Sequence, residues 1–265
     1  MFDLRSKYGC IGKPVVTAHR GFSGRYPENT LLAFTKAVEL GVDIVEFDVR
    51  ESSDGALMIM HDSSLDRTTD GKGLINGCSL AELKRLNATY WKGPHDTGVR
   101  CDIPAGKEGI PTLEEALSLL AGRVGLNIQV YTDSRASLER VIQLYLAHDL
   151  QASGFLMLRS FSEGEFVRSV SWDVAICVGE DRANLDRHFA FGVDYLQPTK
   201  NCLSDLYVRR LIESGIPANV FFANDRGGMS TMIEQGVPGI LTDVPDALMD
   251  LTRKKEGVTL EGVRC

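Results

Sequence analysis

At 265 residues, 43% of them hydrophobic and 25% charged, the chain has the size and balance of one large globular domain with a substantial core. Its net charge of -7 and pI of about 5.3 argue against nucleic acid or an anionic membrane surface as the main partner. An anionic substrate would have to be met by local positive charge, from an arginine, a cation or both.

The N-terminal stretch MFDLRSKYGCIGKPVV has no long apolar core and no small-residue cleavage pattern, so no signal peptide is expected. No apolar run approaches the roughly 18 residues of a membrane span. The cysteines, Cys10, Cys78, Cys101, Cys177, Cys202 and Cys265, are scattered without CxxC or metal-ligand spacing. Free thiols in a reducing cytoplasm are the expectation.

The first strand-like run is VVTAHRG, Val15 to Gly21, apolar at its start and polar where it gives way to a turn. A loop follows, FSGRYPEN, and then LLAFTKAVEL, whose Leu31, Phe34, Ala37 and Val38 share one helical face, with Gly41 just past its end. DIVEFDV, Asp43 to Val49, alternates: Val45, Phe47 and Val49 face one way, Glu46 and Asp48 the other. Two carboxylates about 6 to 7 Å apart on one strand face repel unless something positive joins them. A wet sheet face explains them without function; a magnesium or calcium site explains them with it. His61 closes the next run, ALMIMHD, after the turn Ser52 to Gly55. A hairpin there pairs His61 with Glu46, whereas a parallel barrel neighbour puts both on one rim. Either geometry brings the histidine to the carboxylates.

Downstream, Ser79 with Glu82, Thr112 with Glu115 and Ser162 with Glu165 have the capping-box spacing and predict helix starts. GLNIQVY, GFLMLRSF, DVAICV, DYLQP, ANVFFAN and GILTD read as strands, with a helix from about Ala136 to Ala147 after the first of them. Alternating strands and helices over about 250 residues predict a single-domain (β/α)8 TIM barrel spanning 1–265. Nine strand-like runs compete for eight places, so one is either no strand at all or an arm of the hairpin at Ser52 to Gly55. Asn87 to Gly109 is long, polar and aperiodic, a loop insertion.

His19-Arg20-Gly21, Pro27 to Thr30 (PENT), Glu46 to Val49 (EFDV) and His61-Asp62 resemble, in order and spacing, the glycerophosphodiester phosphodiesterase family. LDRTTDGKG, IPTLEEAL, LNIQV, Ser160-Phe161, FFAND and GVPGILTDVP extend the resemblance over nearly the whole chain. It implies cleavage of a small phosphodiester to an alcohol and a phosphomonoester, assisted by magnesium or calcium. Arg20 would meet the phosphate, and His19 and His61 would serve as acid and base; water or the substrate's own hydroxyl would attack. His95, His148 and His188 lack such a setting. Glu28 and Asn29 would be substrate-binding, although Asn29 as a helix cap and Glu28 as a dipole partner account for them more simply. Glu46 and Asp48 would hold the metal.

One departure stands out. The family's LNIEIK reads LNIQVY here, so Gln129 replaces an acidic ligand and Tyr131 a lysine that faces phosphate. Gln129 can still offer an amide oxygen to a hard cation. Two alternatives follow: a phosphodiester-binding protein that has lost turnover, and a related phosphodiesterase acting on a lipid or sugar phosphodiester. Tyr131 and Phe221 are taken as substrate-binding alongside Glu28 and Asn29, while aromatics such as Tyr90, Trp91 and Phe221 are candidate rim contacts or plain core.

Overall fold

The computed structural model describes residues 2–9, 13–89 and 107–256. In chain order, β1 (Val15–Ala18) leads to α1 (Leu31–Leu40), β2 (Ile44–Glu51), β3 (Leu57–Ile59), α2 (Leu80–Leu83), α3 (Leu113–Leu120) and β4 (Gly125–Val130). Then come α4 (Arg135–Ala147), β5 (Gly154–Leu158), α5 (Phe161–Val170), β6 (Ile176–Val178), α6 (Leu185–Phe191) and α7 (Asp205–Glu213). The chain continues with β7 (Val220–Phe221), α8 (Arg226–Gln235), β8 (Gly239–Thr242) and α9 (Pro245–Glu256). The heart of the loop expected over 87–109 lies outside the described residues.

Parallel strands run in the order β6-β5-β4-β2-β1-β8-β7. The DYLQP run supplies the remaining stave as an irregular one. Asp194 and Tyr195 donate their N–H groups to the Ile176 carbonyl (2.9 and 3.1 Å), and Leu196 and Thr199 bridge to Ala218 and Phe221. Pro198 lacks an N–H, which explains why this stave never becomes a regular ladder. The (β/α)8 barrel is thereby closed.

β3 is the ninth run, and it pairs antiparallel with β2 outside the ring. Its register differs from the expected one. Glu51 pairs with Leu57, so the turn is Ser52 to Ala56, one residue longer than the sequence suggested. The Ser52 and Ala56 backbones are joined (2.9 Å), and the shift puts Met60, not His61, next to the Asp48 carbonyl (2.9 Å). His61 is therefore beyond the ladder, on the chain that leaves it, rather than opposite Glu46.

Strand alternation sorts side chains into two layers. Val45, Phe47 and Val49 of β2 point outward, where they join Phe34 and Ala37 of α1 and Leu117 and Leu120 of α3. The Phe34 and Phe47 rings pack 5.5 Å apart, each burial stabilising the fold by about 2 to 3 kcal/mol. Ile44, Val15, Phe155, Met157, Cys177 and Tyr195 point inward and fill the barrel floor with Leu4. Above that floor, the same face of β2 carries Glu46 and then Asp48. Among the described residues no helix is long and apolar enough to cross a membrane. Cys78, Cys177 and Cys202 carry free thiols.

Candidate active site

His19 follows β1 directly, and its backbone N–H still bonds to the Thr242 carbonyl of β8 (2.9 Å). The chain then bends sharply: Arg20 has φ 54° and Asn29 φ 57°, and the Asn29 N–H returns to the Arg20 carbonyl (3.0 Å). Left-handed backbone at non-glycine residues is strained and concentrates at functional sites. Gly24 packs this loop onto β8; its N–H bonds to the Asp243 carbonyl (2.7 Å), and a Cβ at Gly24 would sit 2.5 Å from that oxygen.

Asn29 does not cap α1. Thr30 does, accepting the Ala33 N–H (3.2 Å), which frees the Asn29 amide to donate to Asp48 Oδ2 (2.8 Å). Glu28 is likewise no dipole partner. It is buried and receives Arg20 Nη1 (2.7 Å) and both Nη groups of Arg67 (2.6 and 2.7 Å). Arg67 also clamps Asp62 (2.6 and 2.9 Å), and Asp62 Oδ1 accepts from His61 Nδ1 (2.7 Å). A continuous chain of charge thus runs from His61 through Asp62, Arg67, Glu28 and Arg20 to Asp48, whose Oδ2 lies 3.3 Å from Arg20 Nε.

His19 is anchored separately. Its Nδ1 donates to Asp243 Oδ1 (2.6 Å), which also accepts from Ser23 (2.9 Å), while Asn224 donates to Oδ2 (2.6 Å). His19 Nε2 faces Glu46 Oε2 at 4.0 Å. Burial and the Arg20 charge press the His19 pKa down, but the Asp243 and Glu46 carboxylates outweigh them and raise it. Burial would raise Asp243, yet His19 and its other hydrogen bonds hold that carboxyl low. Glu46 goes the other way: burial and the neighbouring Asp48 push it up to about 7.

Aromatic rings flank the two histidines. Phe221 lies edge-on to His19 (5.5 Å) and Phe222 stacks on it (6.1 Å). Tyr131 meets His61 edge-on (5.8 Å). The expected rim residues Tyr90 and Trp91 and the histidine His95 lie outside the described residues. His148 ends α4 and His188 is buried beside Phe161, both away from this cluster.

The register pairs Glu46 with Asn127 and Asp48 with Gln129 on one inner face. Among the described residues no three His, Cys, Asp or Glu side chains form a ready metal cage. The barrel offers instead two carboxylates with two amides beside them. Glu46 Oε1, Asp48 Oδ1 and Asn127 Oδ1 are buried without a hydrogen-bond partner. Orphaned oxygens of this kind are costly unless a cation meets them, and an all-oxygen set fits a hard divalent ion. Gln129 spends its Nε2 on the Tyr131 hydroxyl, leaving its carbonyl oxygen as the atom it can offer.

The residues matching the glycerophosphoryl diester phosphodiesterase family model run from 19 to 178, and so take in His19, Arg20, both carboxylates, His61 and Gln129. The chain belongs to this family. A glycerophosphodiester phosphodiesterase of Caldanaerobacter subterraneus is 30% identical over 261 residues, covering 91% of this chain and 99% of that one. An Oleispira antarctica phosphodiesterase, solved in complex with the product sn-glycerol-3-phosphate, is 28% identical with a TM-score of 0.72, covering 89% and 96%. A Silicibacter pomeroyi crystal structure, at 20% identity, shares the fold with a TM-score of 0.84 over 96% and 97% of the chains. Within this phosphodiesterase family chain, sequence reasoning overlooked Asp243 and Arg67 as site residues. Both lie inside stretches that resemble the family, but His19 is 224 residues from Asp243 and Glu28 is 39 from Arg67.

Proposed function

We propose that the protein hydrolyses a glycerophosphodiester, or a similar small phosphodiester, to an alcohol and a phosphomonoester such as glycerol 3-phosphate. The observation that carries this reading is the pair of histidines, each with Nδ1 bound to a carboxylate, at the barrel mouth beside an arginine–carboxylate cluster. With Nδ1 so occupied, Nε2 of each ring is the atom left to take a proton from the nucleophile or return one to the leaving alkoxide. Phe221 and Tyr131 pack edge-on against the two rings and restrict how they can turn.

A magnesium or calcium ion would be held by Glu46, Asp48 and Gln129 and would supply charge to the non-bridging phosphate oxygens. Glu28 and Asn29 orient the ligands: Asn29 fixes one Asp48 oxygen, and Glu28 restrains Arg20. Arg20 retains its Nη2 edge for the phosphate, since no acceptor among the described residues takes it.

Purified protein assayed against a panel of glycerophosphodiesters should turn over with magnesium or calcium and stop with a chelator. A cyclic phosphate among early products would assign attack to the substrate's own hydroxyl; its absence would assign attack to water. Binding without turnover under every condition would replace this reading with a phosphodiester-binding role, traced to Gln129 and Tyr131.

A further inference from the structure

The third inward position of β2, after Glu46 and Asp48, is Arg50. Its Nε–H donates to the His61 carbonyl (2.6 Å), and its guanidinium carbon lies 4.7 Å from the centre of the Tyr131 ring. One edge of Arg50 is therefore fixed by backbone, and its plane is fixed by an aromatic face that itself meets His61. The remaining Nη groups have no acceptor among the described residues, and no described carboxylate forms an ion pair with them.

The other two guanidiniums are differently placed. Arg67 is spent on Glu28 and Asp62, and Arg20 shares its charge between Glu28 and Asp48. Carboxylates outnumber guanidiniums here, with Glu28, Glu46, Asp48, Asp62 and Asp243 against Arg20, Arg50 and Arg67. A phosphodiester entering such a site needs a cation that carboxylates have not already neutralised.

We propose that Arg50 is a phosphate-binding residue, donating from its Nη groups to a non-bridging oxygen, with Tyr131 as the shelf that holds its plane. The inference rests on the hydrolase reading above. A planar fork held on two sides loses little freedom when it meets an oxyanion, which favours binding over a mobile lysine. Tyr131 thereby acquires a function of its own, because the phenol carries no charge but its face positions one.

The test compares wild type, Arg50→Met and Arg50→Lys by steady-state kinetics on a glycerophosphodiester and by calorimetric binding of sn-glycerol 3-phosphate and inorganic phosphate. Arg50→Met should raise KM and weaken phosphomonoester binding about ten- to a hundredfold, as expected for a charge-assisted hydrogen bond. Arg50→Lys should recover part of that loss. KM and phosphomonoester affinity unchanged in a folded Arg50→Met protein would overturn the proposal. So would a fall in kcat alone that lysine does not lessen, because that pattern assigns Arg50 to holding His61. A wild type without turnover that still binds phosphomonoester through Arg50 would sink the hydrolase reading and leave this one standing. Neither turnover nor binding would sink both.

Discussion

Asp243 and Asp62 do the same work for two histidines in unlike surroundings, one ring buried against Glu46 and the other partly open beside Tyr131. Replacing His19 or His61 by alanine should each cost at least about a hundredfold in kcat, the usual scale of a lost acid or base, with circular dichroism unchanged. Near-normal turnover in either variant removes that residue from the chemistry. Asp243→Asn keeps the shape but loses the charge that fixes the His19 tautomer, so kcat should fall while KM stays close to wild type. At the proposed cation position, Gln129→Glu adds a third carboxylate. Calorimetry should then record tighter magnesium binding, and an unchanged affinity would mean that residue 129 does not face the ion. The histidines and β2 carboxylates were legible because a strand end and a two-residue period announce themselves locally. Asp243 was not, since its partner lies 224 residues away and only barrel closure joins them.

Element boundaries were readable where the cap is a local contact. Ser79 and Thr112 make the reciprocal bonds expected of them, with Glu82 and Glu115 reaching back to the cap N–H groups. Thr112→Ala should therefore lower unfolding free energy by about 1 kcal/mol, read from the urea midpoint. An unchanged midpoint would assign the start of α3 to packing instead. The third expected box, Ser162 with Glu165, does not form. α5 begins two residues earlier, with Ser160 accepting the Glu163 N–H, because Glu163 is engaged by Arg159 and the same spacing recurs at Ser160. Overlapping signals leave such a choice to tertiary contacts. The β2–β3 turn failed for a related reason: three polar residues and Gly55 suggested its length, but Ala56 bonds to Ser52 and adds a fifth.

For the molecule as a whole, the inner carboxylate pair opposes stability when both groups are ionised. Glu46, raised to about 7, binds its proton more tightly when folded than when unfolded, where the pKa is about 4.3. Its contribution to stability is greatest below about pH 4.3 and declines as pH rises through 7. Glu46→Gln keeps an acceptor for the Arg20 N–H and removes the charge. In chelator, calorimetric scans should give this variant a higher melting temperature than wild type at pH 8, with the gap closed at pH 4. A wild type that melts higher at pH 8 would contradict the sign. The barrel architecture was legible from alternation, and DYLQP was read as one of its strands; its irregularity was not, because Leu196 and Thr199 make isolated bridges rather than a ladder.

His19 follows the first strand of the ring and Asp243 the last, and the two strands pair directly from Val15 with Gly239 to Ala18 with Thr242. A chain emerging from the ribosome accordingly carries Glu46, Asp48 and both histidines long before Asp243 can hold the His19 ring. On the proposed role of His19, catalysis waits for the final strand to be synthesised and seated. A molecule cut before Asp243 is, on the same reading, expected to be silent toward phosphodiesters.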